Sequence, residues 1–152
     1  HYDRGINEAL GRPLPSVSES TGRRIATASE ALVRYLLFAD EVELTNAIAG
    51  TSKFTEQFAA TGKADSQGRS LRQLDLSKRL LKYPCSYLIY SEAFDRMPAP
   101  VMNFVRRRVT EVLTAATPPA GYERLTQDER TALAEILRAT KPEFLMDSIA
   151  RF

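Results

Sequence analysis

Cys85 and His1 carry the side chains that would most readily do chemistry, and the chain has one of each type. A cysteine nucleophile needs a base, usually histidine, and His1 stands at the end of the chain. Neither a cysteine nor a serine–histidine–acid site is therefore predicted. Zinc ligation and covalent haem attachment need several such residues at close spacing. The sequence therefore predicts no catalytic residue, metal or cofactor. We predict that Cys85 is buried beneath the apolar run Tyr87–Tyr90.

Carboxylates are the next candidates for chemistry. Asp75, Glu92 and Asp95 lie in the apolar middle of the chain and could form an acid–base pair. Helix capping, or pairing with Arg79 or Arg96, also accounts for these carboxylates and is the favoured interpretation.

Two short segments have the composition of known ion sites without their spacing. Gly62-Lys63 and Gly68-Arg69-Ser70 combine glycine with a cation, but they match neither phosphate-loop fingerprint. Asp40, Glu41 and Glu43 share one corner and lack the alternating ligands of a calcium loop. Neither segment predicts a site.

Basic side chains are concentrated in the middle of the chain. The net charge is only +2, too small to imply a polyanionic partner. Residues 53–110 carry eleven basic and five acidic side chains, whereas residues 1–52 and 111–152 each carry five basic and seven acidic ones. The acidic flanks, with Glu129 and Glu135, could neutralise the middle internally. Alternatively, the basic side chains stay exposed and meet an acidic partner.

Four of these basic residues form the predicted partner-binding surface. If Asp75 caps a helix, Lys78 and Lys82 share one face, Arg79 stands about 100° away, and Arg72 precedes them. Neighbouring aromatics would suit single-stranded nucleic acid, but the domain is not strongly basic, which disfavours that partner. A solvated or salt-bridged face is the favoured interpretation of these basic residues. If they bind a partner, we predict an acidic protein surface, or an upstream segment of the same protein. Lys78→Glu with Lys82→Glu should leave folding intact and weaken this binding.

The composition favours one all-α domain. The chain has 152 residues, 43% of them hydrophobic and 26% charged, which suffices for one core. Glycine and proline are few, as is typical of long elements joined at corners. No run approaches the roughly 18 apolar residues that span a bilayer. We predict about five or six helices over residues 16–152, after an irregular tail over residues 1–15.

Two helices are predicted in the first half. Ser16 and Glu19 have the spacing of a capping box, which opens a helix to about Phe38. The predicted inward face follows a helical repeat and comprises Ile25, Ala28, Leu32, Tyr35 and Leu36. A shorter helix follows Ser52 and ends at Gly62 in a left-handed conformation, before a loop over residues 63–70.

Residues 71–97 are ambiguous. Asp75 could cap a helix over residues 76–83 that Pro84 ends. A second helix over residues 84–96 is favoured, although Tyr87–Tyr90 could also be a short strand.

The last third of the chain has clear helix signals. Pro98 and Pro100 introduce the strongest helix, and Thr126 with Glu129 forms a capping box for the next. Pro142 marks a corner before a short terminal helix. The predicted buried side chains of these helices are Val101, Phe104, Val105, Val109, Val112, Leu113, Leu133, Ile136, Leu137, Phe144, Leu145 and Ile149.

A resemblance to a known group of proteins extends over residues 31–142. It is carried by residues 68–71, 80–91 and 93–95, which include Tyr83-Pro84-Cys85-Ser86-Tyr87. The chain resembles the C-terminal region of large exported bacterial proteins of unknown function, some with c-type haem motifs upstream. The resemblance implies an exported bacterial fragment and assigns no functional residue. The expected function is a non-enzymatic helical interaction or accessory domain. The alternative is part of an enzyme or haem protein whose cofactor lies on another segment.

Overall fold

The computed structural model describes residues 2–11 and 18–145, and half of these residues are helical. Within these ranges there is no β-strand, and two isolated antiparallel bridges join Ala64 to Ser70 and Leu74 to Leu81. The predicted all-α fold class is confirmed. In chain order the elements are α1 (Tyr2–Ala9), α2 (Glu19–Leu36), α3 (Phe54–Ala60), the 3₁₀ helix η1 (Tyr87–Tyr90), α4 (Glu92–Asp95), α5 (Ala99–Thr114) and α6 (Gln127–Thr140).

Helix α5 is the centre of the fold and packs against both α2 and α6. It begins after Pro98 with a second proline in its first turn, where the missing N–H has no intrahelical partner to lose. The buried side chains of α5 are, as predicted, Val105, Val109, Val112 and Leu113. They share one hydrophobic core with residues from α2, α6, η1 and the connecting segments.

Helices α2 and α6 begin at polar caps, one of which differs from the prediction. The capping box of Thr126 and Glu129 opens α6 as predicted. Helix α2 is capped by Ser18, whose Oγ accepts the backbone N–H of Thr21 at 3.2 Å. Ser16, the predicted cap, lies outside the described residues. Both serines precede Glu19, so the sequence located the helix start to within one turn.

The inward face of α2 was predicted wrongly in part. Ser29, Val33 and Leu36 are buried, whereas Tyr35 is 78% exposed. The apolar residues of α2 cover more than one face, so their repeat does not determine which one meets α5. Val33 faces the core, and the rotation this requires leaves Tyr35 in solvent.

The predicted helix over residues 76–83 does not form. Asp75 Oδ1 accepts the backbone N–H groups of Ser77 at 2.8 Å and Lys78 at 3.0 Å. An aspartate can stabilise a tight turn in this way as readily as a helix start. Leu76 has φ +60°, in the left-handed region, which closes the turn and is incompatible with a helix.

The predicted helix over residues 84–96 is divided into η1 and α4. Ser91 is the boundary, because its extended backbone (φ −78°, ψ 148°) ends η1 and its hydroxyl caps α4 by accepting the N–H of Phe94. The strand alternative for Tyr87–Tyr90 is also wrong. Ile89 is the buried residue of η1.

The predictions for the two ends of the chain are correct only in part. Residues 2–9 form α1, so the predicted irregular tail is wrong there, and residues 12–17 lie outside the described part. Phe144 and Leu145 are buried after Pro142, but residues 142–145 form a turn, so the predicted terminal helix is wrong there, while Ile149 lies outside the described residues.

Candidate interaction surface

An apolar groove runs between the end of α2 and the η1–α4 segment. Tyr35 and Leu88, on opposite sides, are 78% and 57% exposed. The groove has a volume of about 330 Å³. Its lining is Leu32, Tyr35, Leu36, Ser86, Leu88, Ser91, Ala93, Phe94 and Met97. A concave apolar surface with exposed rims is suited to binding an apolar side chain.

The tight winding of η1 explains why Leu88 is exposed. Ser86 Oγ accepts the N–H of Leu88 at 3.3 Å and fixes the first turn. Successive residues of a 3₁₀ helix are about 120° apart, so burying Ile89 directs Leu88 outward. The buried ring of Phe94 forms part of the groove, while Leu36 anchors the other side in the core.

A second pocket adjoins the groove, because Leu88 and Ser91 line both. Its volume is also about 330 Å³, and its walls are aromatic and cationic. The lining consists of Thr61, Gly62, Lys63, Arg72, Tyr87, Leu88, Tyr90 and Ser91. We call it the cationic pocket.

Arg72 is held in place by α3 and η1. Its guanidinium carbon lies 4.6 Å from the ring centre of Phe58 and 4.6 Å from that of Tyr87. The two rings meet edge to face at 5.3 Å. Arg72 Nη1 also donates to Thr61 Oγ1, whose hydroxyl donates to the carbonyl of Phe58 at 2.9 Å. These contacts position the cation without neutralising it.

Lys63 is the second cation of the pocket. Its Nζ lies 5.1 Å from the ring centre of Tyr90. The Tyr90 hydroxyl is hydrogen-bonded to Thr140 Oγ1 at 2.6 Å, which ties this wall to α6. Burial raises the pKa of Tyr90, so the ring remains neutral beside Lys63 at physiological pH.

Gly62 keeps the floor of the cationic pocket close to the neighbouring loop. It was predicted to be left-handed, but it is not among the residues with positive φ. A Cβ at this position would collide with Ser70 Oγ and lie 3.1 Å from Arg72 Cβ. Close approach, rather than backbone conformation, is therefore the reason for glycine here.

The helix that would place Lys78 and Lys82 on one face does not form, and the four predicted partner-binding residues lie in different surroundings. Arg72 lies in the cationic pocket, whereas Lys78 and Lys82 are exposed on the irregular segment. Arg79 is used internally, with Nη1 at 2.7 Å from Glu129 Oε1 and Nε at 3.6 Å from Glu41 Oε2.

Ion pairs like those of Arg79 also neutralise other cations of the basic middle segment. Arg69 lies 2.7 Å from both Asp65 and Glu135. With the Arg79–Glu129 and Arg108–Glu111 pairs, three cations of the middle segment meet the acidic C-terminal flank. Of the two explanations for the charge asymmetry, internal neutralisation therefore holds for Arg69, Arg79 and Arg108.

The carboxylates considered for acid–base chemistry have structural partners. Asp75 is bound within its own turn, and these hydrogen bonds lower its pKa to about 2. Glu92 pairs with Arg96, and Asp95 lies 2.6 Å from Lys141 Nζ. The Glu92–Arg96 pair agrees with the favoured interpretation, whereas Asp75 caps a turn instead of a helix and Asp95 pairs with Lys141 instead of Arg79 or Arg96.

The remaining candidates also have local roles. Cys85 is fully buried, and burial raises its pKa to about 12, which keeps it a thiol. Gly68 has φ +74° in a turn closed by Asp65, which accepts the N–H groups of Gln67 and Arg69. Among the described residues no group of three or more potential ligands is arranged to hold a metal.

One partly buried polar network was not predicted from the sequence. Glu30 Oε1 accepts the Tyr122 hydroxyl at 2.9 Å, and Glu30 Oε2 lies 3.0 Å from Arg108 Nε. Burial, followed by the bond to Glu30, raises the pKa of Tyr122. The contacts join α2, α5 and the segment before α6. Their members are 78 and 92 positions from Glu30 in sequence, so no local spacing signals them.

No protein-family model, curated protein or solved structure matches the chain. Within residues 2–11 and 18–145, no helix combines the length and the apolar character needed to cross a membrane.

Proposed function

We propose that this chain is a non-enzymatic helical interaction domain, an accessory part of a larger bacterial protein, which binds a protein segment in the apolar groove. The observation that carries the proposal is the pair of exposed apolar side chains, Tyr35 and Leu88, on the two sides of one groove. Single exposed apolar residues are ordinary, but apolar side chains around a concavity are typical of binding sites.

The groove is built on rigid elements. Phe94 and Leu36 belong to the hydrophobic core, and the hydroxyls of Ser86 and Ser91 cap η1 and α4. A surface that is ordered before binding loses little conformational entropy when a partner docks. This favours recognition of one protein segment over non-specific adhesion.

The reactive side chains support binding rather than catalysis. Cys85 lies in the core as a thiol, Asp75 stabilises a turn, and Asp95 pairs with Lys141. Each of these roles is structural, and none brings a reactive group to the groove.

The proposal can be tested with random peptides displayed on phage. Peptides should be enriched on the immobilised protein over the bare support, and synthetic copies should bind in solution. Leu88→Ser should abolish this binding because it removes one side of the groove. Leu80→Ser is the matched control, since Leu80 is also apolar and 48% exposed but does not line the groove. Failure to enrich peptides, or equal binding to both variants, would contradict the proposal.

A further inference from the structure

We infer that the cationic pocket binds a carboxylate of the docked segment, so that the preferred partner is an acidic peptide with an apolar residue beside its Asp or Glu. This inference rests on the proposed function and specifies its partner. The apolar side chain would occupy the groove, and the carboxylate would reach Arg72 and Lys63.

The groove and the cationic pocket are close enough for one peptide segment to contact both. Leu88 and Ser91 line both the groove and the cationic pocket, so a single ridge separates them. A short peptide that places an apolar side chain on one side of Leu88 can place a neighbouring side chain on the other. Two contiguous contacts of different chemistry give specificity that an apolar groove alone lacks.

Arg72 differs from several other arginines of the fold in its partners. Arg69, Arg79 and Arg108 each have a carboxylate within 3.0 Å. Among the described residues, neither Arg72 nor Lys63 has an acidic partner within ion-pair distance. Two cations lining one pocket, with aromatic side chains as their neighbours, complement an anion from outside.

The guanidinium of Arg72 is already oriented for such a contact. Phe58, Tyr87 and Thr61 hold it from α3 and η1. A guanidinium has five N–H donors, and Thr61 accepts one of them, which leaves donors for a carboxylate. Because an arginine can contact both oxygens of a carboxylate, an acidic side chain suits the site better than a neutral amide.

The test uses the same displayed peptide library and one synthetic peptide from it. Enriched peptides should contain Asp or Glu next to an aliphatic or aromatic residue. Arg72→Gln should weaken binding of such a peptide by about tenfold to a hundredfold, as expected for loss of a charged hydrogen-bonded contact. Lys63→Gln should weaken it less, because a lysine makes no paired contact. Lys82→Gln, a cation beside the ring of Tyr83 outside the pocket, is the control and should change nothing.

A peptide carrying Gln or Asn in place of the acidic residue completes the test. It should bind wild type and Arg72→Gln equally. This result would show that the binding free energy lost by the acidic peptide comes from the carboxylate contact, and that the variant is folded. Enrichment of apolar peptides without acidic residues, or equal binding of the acidic peptide to Arg72→Gln, would overturn the inference and leave the proposed function standing. Absence of any enriched peptide would overturn the proposed function and the inference with it. Displacement of the peptide by a single-stranded oligonucleotide would assign the pocket to a different ligand and also overturn the inference.

Discussion

Alkaline pH should destabilise this protein through Cys85. The side chain is fully buried, and burial raises its pKa from 9.0 to about 12. The unfolded chain therefore releases the thiol proton at a lower pH than the folded protein does. The stabilising contribution of the neutral thiol is complete below about pH 9 and is lost as the pH rises toward 12.

The size of the effect follows from this difference in pKa. Between the two values, each pH unit costs about 1.4 kcal/mol of unfolding free energy for one group. From about pH 8 to about pH 11, the thiol alone should remove roughly 2–3 kcal/mol. That is a large fraction of the stability of an ordinary domain, roughly 5–15 kcal/mol.

Urea unfolding of wild type and Cys85→Ala across this range measures the effect. The alanine variant should be less stable at about pH 8, because it leaves a small cavity, but its stability should fall less steeply with pH. Tyr90 and Tyr122 also have raised pKa values, and they contribute to the alkaline slope of both proteins. The charge of the Cys85 thiolate also contributes to the raised pKa of Tyr90, so the difference between the slopes measures the thiol together with this coupling.

Two results would refute this reasoning. Parallel stability curves for wild type and Cys85→Ala would mean that the thiol does not titrate differently in the two states. Rapid labelling of Cys85 by a thiol reagent in the native protein at neutral pH would mean that the side chain is accessible. Labelling should instead be slow and should accelerate with denaturant.

Three further substitutions test the packing. Leu113→Ala, in the buried face of α5, should lower the unfolding free energy by about 2–4 kcal/mol in chemical denaturation, and a change below about 0.5 kcal/mol would mean an exposed face. Tyr122→Phe should cost about 1–2 kcal/mol, because Glu30 loses one hydrogen bond, while the same change in a Glu30→Gln background should cost less. Gly62→Ala should destabilise by about 1–3 kcal/mol in thermal unfolding, since its Cβ collides with Ser70 Oγ; an unchanged melting temperature would contradict the close approach.

The parts of the fold that the sequence predicts well have redundant local signals. Helix α5 combines a proline start with a regular apolar repeat, and α6 combines a capping box with a similar repeat. Each signal alone is weak, but agreement among propensity, capping and periodicity favours one structure. The loop over residues 63–70 was predicted for the same reason, since its turn-forming residues include Gly68 with positive φ.

The errors arise where one residue type serves two structures. Asp75 has the side chain of a helix cap and of a turn, and the turn forms because Leu76 adopts a left-handed backbone. Ser91 similarly looks like part of a helical repeat, yet it is the boundary between η1 and α4. Tertiary packing decides such cases, and its effect is not visible in local sequence.

The candidate site was found only in part for a related reason. Arg72 was included among the partner-binding residues because of its charge, but its position next to Phe58 and Tyr87 depends on α3 meeting η1 across a long loop. Tyr35 was assigned to the core on the basis of its helical spacing. Its exposure depends on which face of α2 contacts α5, and several faces of this helix carry apolar residues.

Charge counts along the chain and charge pairing in the fold answer different questions. The excess of basic residues in 53–110 correctly indicated a segment that needs acidic neighbours, but a count cannot say whether those neighbours are internal. Arg69 pairs with Glu135 and Arg79 pairs with Glu129, and both glutamates lie on α6. Arg72 instead contacts two aromatic rings, which fix its position without neutralising its charge. A cation ordered by neutral contacts keeps its capacity to bind an external anion, and for this reason Arg72, rather than the more exposed Lys78 and Lys82, is the residue on which partner recognition should depend.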